Sequence, residues 1–235
     1  MSNSRIRNLL TQCIELLFPR YCLLCQDKLF AFESHLCTTC LAKLPYVTNP
    51  FSLNNDTEMR LRGRFPFEKA ESLLYFDKGG DSQRVIHAIK YQGAKEAALF
   101  LGKIGGQMLA SNAHFNTIDF IIPVPMYEAK MRKRGYNQSK VLADGIAEML
   151  HTRVENDCLR KIRATDSQTN HKGNDRWENV KGSFVVDYPD RLTGKHILLV
   201  DDVLTTGATI DACAQALLVI PGIQISVFAL ALAEN

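Results

Sequence analysis

The sequence predicts an α/β protein: a parallel sheet with helices on both faces, joined to a small N-terminal four-cysteine zinc-finger domain. Three observations carry that expectation. Strand-like and helix-like stretches alternate from residue 70 onward, the pattern of a parallel sheet covered on both sides. The run Ile197-Leu198-Leu199-Val200 is apolar throughout, as a strand buried on both faces must be. It leads through Asp201-Asp202-Val203-Leu204-Thr205-Thr206-Gly207-Ala208-Thr209 into a helical pattern. Near the start, Cys22-Leu23-Leu24-Cys25 and Cys37-Thr38-Thr39-Cys40 form two knuckles separated by eleven residues. That spacing lets two loops complete one tetrahedral sulfur site.

Taken in order, residues 4–17 place Ile6, Leu9, Leu10, Cys13, Ile14, Leu16 and Leu17 on one helical face, and Pro19 ends the run. Arg5 and Arg7 flank it, so this helix either packs on the neighbouring domain or docks on an anionic membrane surface. The cysteine segment follows at 20–45. With four sulfurs the zinc site is closed and structural, holding a segment too short to bury a core of its own. A redox dithiol or simple buried thiols are the alternatives, and His35 reads as a loop histidine. Residues 46–66 are turn-rich and read as a linker, which sets the domains at 1–60 and 65–235. Beyond it the pattern gives a strand at 72–76, helices at 81–91 and 95–111, a strand at 119–124 and a helix at 139–150. A short strand at 183–187, the strand at 197–200, a helix at 209–219 and a strand at 224–232 finish the chain. Cys158 and Cys213, like Cys13, lie in apolar helical patterns and read as core thiols.

Composition bounds the rest. Apolar residues make up 46% of 235 residues, enough for one main core and an appendage. No apolar run approaches the ~20 residues that cross a bilayer, and the start lacks the apolar stretch of a secretion signal. A cytoplasmic chain with reduced thiols is expected. The net charge is only +3, yet the last 54 residues hold two Lys/Arg against six acids. Basic character therefore gathers in the front and middle of the chain, and acidic character around the Asp201–Thr209 stretch.

A strand feeding a helix through a short Thr/Gly loop presents backbone N–H groups and a positive dipole end to an anion. The neighbouring carboxylates suit hydroxyls, or a magnesium ion, on the same ligand. No Lys follows Gly207, so the loop is not a Walker A, and a single Gly is not a dinucleotide fingerprint. The order of parts resembles the phosphoribosyl pyrophosphate (PRPP) loop of type I phosphoribosyltransferases. That resemblance implies ribose hydroxyls on Asp201 and Asp202, the 5-phosphate in Thr205 to Thr209, and magnesium bound with PRPP.

Three further segments belong with it. Phe120-Ile121-Ile122-Pro123-Val124-Pro125-Met126 ends a strand at a stiff double-proline edge. The basic run Lys130, Arg132, Lys133, Arg134 follows, then Gly135-Tyr136-Asn137-Gln138. These cations can grip pyrophosphate or a nucleic-acid backbone, or can form a solvated loop. The polar stretch 163–184, with Arg163, Thr165, Gln168, Arg176, Asn179 and Lys181, stands where a phosphoribosyltransferase lid closes over its site. Its Trp177 and cations equally suit stacking on single-stranded nucleic acid. Last, a predicted helix ends at Lys90, Tyr91 and Gly93, which reads as capping chemistry or as ligand contact.

Taken together, these motifs resemble the ComF family: four cysteines at 22–40, Ile89-Lys90-Tyr91-x-Gly93, Pro123-Val124-Pro125 and Arg134-Gly135-Tyr136-Asn137-Gln138. Arg163-x-Thr165-x-x-Gln168, Arg176-x-x-Asn179-x-x-Gly182-x-Phe184 and Asp201-Asp202-x-x-Thr205-Thr206-Gly207 continue them in order. Thr169-Asn170-His171 departs from the apolar residue that often follows the lid Gln. The resemblance implies a zinc finger joined to a type I phosphoribosyltransferase-like domain. It implies a cytoplasmic role, also at the inner face of the membrane, in passing incoming single-stranded DNA to DNA-uptake and recombination proteins during natural transformation. An active phosphoribosyltransferase acting on a base or amine is the alternative, although no base-binding hood is recognisable. A pure scaffold with a relic pocket is the third reading.

Overall fold

The computed structural model describes residues 19–162 and 182–233; the predicted helix at 4–17 and the predicted lid, with Arg163, Gln168 and Arg176, lie outside them. The chain divides into two units, Met1–Leu44 and Pro45–Asn235.

In the first unit a hairpin closes through an antiparallel bridge between Tyr21 and Lys28, with the Leu29 N–H donating to the Arg20 carbonyl at 2.8 Å. Helix α1, Thr38–Ala42, starts at Cys37, whose sulfur accepts from the Cys40 N–H as its cap. The Glu33 carboxylate ties the two halves, accepting from the Thr38 N–H at 2.6 Å and the Phe30 N–H at 2.9 Å. Those N–H groups, Thr38 first, hold its carboxyl below the usual carboxylate range. The buried apolar side chains here are Cys22, Leu24, Leu29, Leu36 and Leu44, too few to fold such a segment without a cross-link.

The second unit is built on five strands: β1 Ala70–Phe76, β2 Phe120–Pro123, β3 Arg153–Val154, β6 His196–Leu204 and β7 Gln224–Ala233. They lie in the order β1-β7-β6-β2-β3, every neighbouring pair parallel. Alternation along β6 sends Ile197 and Leu199 into one core with Leu61, Phe184, Ile210, Cys213 and Leu217. Helix α7, Ala208–Leu217, and the hairpin of β4 Leu159–Lys161 with β5 Phe184–Val186 cover that face. Helices α3 Asp81–Tyr91, α4 Lys95–Ala110 and α6 Gln138–Leu150 cover the other. A Cβ added at Gly145 of α6 would fall 2.3 Å from the Leu99 carbonyl oxygen of α4, so these helices pack backbone against backbone.

The α/β expectation is met, with five corrections. Strand β6 runs to Leu204, paired with Leu232 of β7, so Val203 and Leu204 belong to the sheet rather than to a loop. Leu204 is a core side chain. The strand expected at 183–187 pairs antiparallel with β4 in a separate two-stranded sheet, because β4 is too short for its pattern to show. The basic run is a helix, α5 Glu128–Arg134, made of strong helix formers with Glu in its first turn and cations in its last. Cys158 is buried as expected but stands in a bend rather than a helix.

The fullest correction concerns residues 46–66, read as a linker. They are built into the second unit. The Val47 N–H donates to the Leu73 carbonyl at 3.0 Å and the Pro45 carbonyl accepts from Tyr75, covering the open edge of β1. Asn55 caps α2, Asp56–Leu61, by accepting from Thr57 and Glu58, and its amide donates to the Ala70 carbonyl at 3.1 Å. Asn55, which looked like a turn signal, is a cap, whereas Asn49 and Asn54 do turn the chain with left-handed φ.

Beneath this segment lies Glu71, fully buried. Its Oε1 accepts from the Phe51 N–H and the Asn55 amide, both at 3.0 Å, while among the described residues its Oε2 has no hydrogen-bond partner. Burial first, then the nearby Glu58, raise its carboxyl from 4.5 to about 7 against the pull of the Phe51 N–H and Lys69. A raised folded pKa means stability that is full below the unfolded value and lost as pH climbs through about 7. Glu71→Gln keeps the Oε1 acceptor and removes the ionisation. In urea unfolding, the wild type should lose up to about 3 kcal/mol more than the variant between pH 5 and 8. Parallel losses in the two proteins would show that Glu71 is already ionised in the fold.

Candidate functional site

The carboxyl edge of a parallel sheet is where such folds bind ligands, and β6 delivers its acids there. Alternation puts the two carboxylates on opposite faces of the sheet. Asp202 turns toward α3 and α6, where it accepts from the Gln138 amide at 2.6 Å and pairs with the Lys90 ammonium at 3.1 Å. Asp201 accepts from the Ser139 hydroxyl at 3.1 Å and from the Asp202 N–H at 2.8 Å. Burial and then the charge of Asp202 push its carboxyl up to about 7, against the Asp202 N–H, Lys90 and Ser139.

The loop then turns at Gly207, whose φ of +80° is the left-handed conformation that favours glycine. A side chain there would also meet Leu61 Cδ2 at 3.0 Å and Arg64 Nε at 3.2 Å. Helix α7 begins at the next residue, so its N-terminal N–H groups open at the same edge. Thr205 and Thr206 are exposed, Ala208 and Thr209 half-buried.

Beside Asp202 lies a cavity of about 400 Å³ lined by Lys90, Tyr91, Gly93, Lys130, Lys133 and Arg134. Among the described residues, four cations and no acid line it. The Tyr136 hydroxyl donates to the Ile89 carbonyl, docking the residues after α5 onto the end of α3, and the Arg134 guanidinium sits 5.2 Å over the Tyr91 ring. The structure thus brings Lys90, Lys133 and Arg134 together but separates Arg132. That residue pairs with Glu128 at 2.6 Å on the exposed side of α5, because helical spacing sends neighbouring cations to different faces.

Asn137 and Gln138, expected as anion contacts, turn inward. Asn137 caps α6, accepting from the Ser139 N–H, and donates to the Val124 carbonyl, both at 3.0 Å. Gln138 orients Asp202, and among the described residues its buried Oε1 has no hydrogen-bond partner. A second cavity, about 490 Å³, lies on the hairpin side among Pro125, Met126, Met131, Asn156, Tyr188 and Lys161. Burial holds the Lys161 ammonium below its ordinary pKa. Reasoning from sequence missed Ser139 and Arg60. The former directly follows the Asn137-Gln138 motif; the latter carried no signal at all.

In the first unit, Cys22, Cys25, Cys37 and Cys40 gather with all four sulfurs within 4.8 Å of one another. Four sulfurs ~2.3 Å from one ion in a tetrahedron stand ~3.8 Å apart, and Cys25 and Cys37 are separated by 3.7 Å. Burial tends to raise Cys22, but N–H groups of Cys37, Cys25 and Leu24 outweigh it and hold the thiol down at about 7. A metal ion fits this donor set.

A parallel five-stranded α/β sheet with a four-cysteine module in the same chain is the architecture observed, and it agrees with what the ComF resemblance implies. Comparison with known proteins shows what the chain is similar to. The chain is 32% identical over 140 residues to DNA utilization protein YhgH of Escherichia coli O6:H1, covering 57% of this chain and 60% of that protein. It is 32% identical over 116 residues to competence protein F of Haemophilus influenzae, covering 47% and 49%. With competence protein ComFC of Bacillus subtilis it shares 23% identity over 207 residues, covering 85% and 78%. Against the first of these the chain spans about 60% of the relative's length. No family model matches. Among solved structures it resembles hypoxanthine phosphoribosyltransferase from Staphylococcus aureus at 12% identity and a TM-score of 0.37, over 57% of this chain and 62% of that one. The adenine enzyme from Saccharomyces cerevisiae gives 13% and 0.37, over 62% and 72%. Among the described residues, no helix is long and apolar enough to cross a membrane.

Proposed function

We propose that this protein is a competence or DNA-utilization factor that handles incoming single-stranded DNA in the cytoplasm and carries a ribose-phosphate pocket of the PRPP type. The observation that carries the reading is the meeting of the acidic pair with the cationic cavity through the 3.1 Å pair of Lys90 and Asp202. In this assignment the 5-phosphate of the ligand lies against Thr205–Thr209 and the start of α7, and its ribose hydroxyls lie on Asp201 and Asp202. The unpartnered Gln138 Oε1 beside Asp202 supports a hydrogen-bond donor there, as a hydroxyl or a magnesium-bound water supplies. Magnesium bound with PRPP would neutralise pyrophosphate charge, while Lys90, Lys130, Lys133 and Arg134 hold the pyrophosphate or a DNA backbone. Zinc is the ion assigned to the four cysteines, in a structural role. DNA-uptake and recombination proteins at the inner face of the membrane are the partners this role calls for.

The relatives' names, DNA utilization protein and competence protein, support the DNA role. The 490 Å³ cavity on the Asp201 side supports a second reading, an active phosphoribosyltransferase with room there for an acceptor. The DNA role is tested by titrating single-stranded DNA at several salt concentrations. Replacing Lys130, Lys133 and Arg134 together by Ala should lower the slope of log affinity against log salt by about two, three contacts at ~0.7 each. An unaltered slope would move the DNA surface away from this cavity.

A further inference from the structure

We infer that Arg60 is a positioning residue for the ribose-phosphate loop, acting from α2 through the backbone. The inference rests on the ribose-phosphate reading of Asp201–Thr209. The Arg60 guanidinium donates to two main-chain carbonyls, those of Thr205 and, at 2.8 Å, Ala233. Thr205 is the first residue after β6, and Ala233 is the last of β7. One side chain therefore ties together the ends of two central strands at the edge where the ligand is placed.

The consequence follows from peptide geometry. In a planar trans peptide the C=O and the following N–H point in opposite directions. With the Thr205 carbonyl drawn to Arg60, the Thr206 N–H faces away from α2. Among the described residues, the N–H groups of Thr206 and Gly207 donate to no backbone carbonyl, so they stand ready for an anion. A Thr-Thr-Gly loop without this anchor samples other peptide orientations, and binding must then order it. The planar fork of a guanidinium meets two fixed carbonyls at once, which a lysine ammonium on its flexible stem does less well.

The anchor is itself fixed. Thr57 of α2 donates to the Ser72 hydroxyl in β1 at 2.9 Å, Arg64 Nε donates to the Arg60 carbonyl at 3.1 Å, and Gln215 of α7 donates to the Arg64 carbonyl at 3.2 Å. Leu61 and Arg64 also close against Gly207. Thus α2 is the wall of the loop, held to the sheet on one side and to α7 on the other.

The test separates the two halves of the ligand by calorimetry, with ribose 5-phosphate plus magnesium in one arm and inorganic pyrophosphate in the other. Arg60→Ala should weaken ribose 5-phosphate at least about tenfold, the worth of a charge-assisted hydrogen bond. Pyrophosphate, held in the cationic cavity, should change by less than about twofold, and Arg60→Lys should restore only part of the loss. Unchanged binding of ribose 5-phosphate to Arg60→Ala would overturn the assignment, and equal loss of both ligands would reduce Arg60 to a structural residue. Wild-type protein that binds neither ligand would overturn the ribose-phosphate reading itself, and the Arg60 assignment with it.

Discussion

On the proposed ribose-phosphate assignment, replacing Asp201 and Asp202 together by Asn should weaken magnesium-dependent binding of PRPP at least about 100-fold while the sheet stays folded. The choice of Asn over Ala comes from the structure. Asp202 is buried against Lys90 and Gln138, so Asp202→Ala strands an ammonium and an amide without an acceptor, at a cost of about 2–4 kcal/mol in stability. Asn keeps an oxygen for the Gln138 amide and removes only the charge. Each carboxylate contact to a hydroxyl or to a metal-bound water is worth about 1.5–3 kcal/mol, so loss of both should lower affinity by at least about 100-fold. Calorimetry with PRPP and magnesium reads the affinity, and circular dichroism checks the fold. Wild-type affinity in the folded double variant would remove the acidic pair from the ligand site.

On the proposed zinc assignment, stripping the metal from the four-cysteine unit should unfold residues 19–44 and leave the cooperative unfolding of the sheet domain in place. Besides the sulfurs, the described residues of this unit offer four buried leucines, the hairpin hydrogen bonds and those of Glu33. Structural zinc in small modules supplies about 10–16 kcal/mol, far more than such a core provides. A chelator, or Cys22→Ser with Cys37→Ser, should therefore make this stretch sensitive to protease while the main thermal transition shifts little. Metal analysis should fall from about one zinc per chain to none. A variant with no bound metal and undiminished protease resistance would mean that the cysteines are core thiols.

How far the sequence could be read depended on how a residue signals its role. Helix α3 was legible to its last residue because Val85, Ile86 and Ile89 are spaced for one face and Gly93 follows the end. The four cysteines were legible because ligand spacing is local: a knuckle needs two sulfurs three residues apart, whatever the rest of the fold does. Helix α5 was misread as a loop because a run of cations has no apolar stripe. Segment 46–66 was misread because Asn55 and its neighbours cap and turn with the same side chains. Within the candidate site, Asn137 and Gln138 lie at the carboxyl edge of the sheet as braces, Asn137 capping α6 and Gln138 donating to Asp202. A side-chain amide serves equally well as ligand contact or as brace, and only its neighbours decide which.

From the sequence alone came the alternating α/β order, the closed sulfur site and the acidic Thr/Gly loop, since each depends on residues near one another in the chain. The tertiary structure decided everything that joins distant residues. It set Asp202 against Lys90, 112 positions earlier, and split the basic run so that Lys133 and Arg134 line the cavity while Arg132 faces outward. It also brought Arg60 to a carbonyl 145 positions away. The physical reason is the parallel sheet. Its strands are neighbours in space but not in sequence, so the edge that gathers the acidic pair and the candidate site exists only once β2, β6 and β7 have paired.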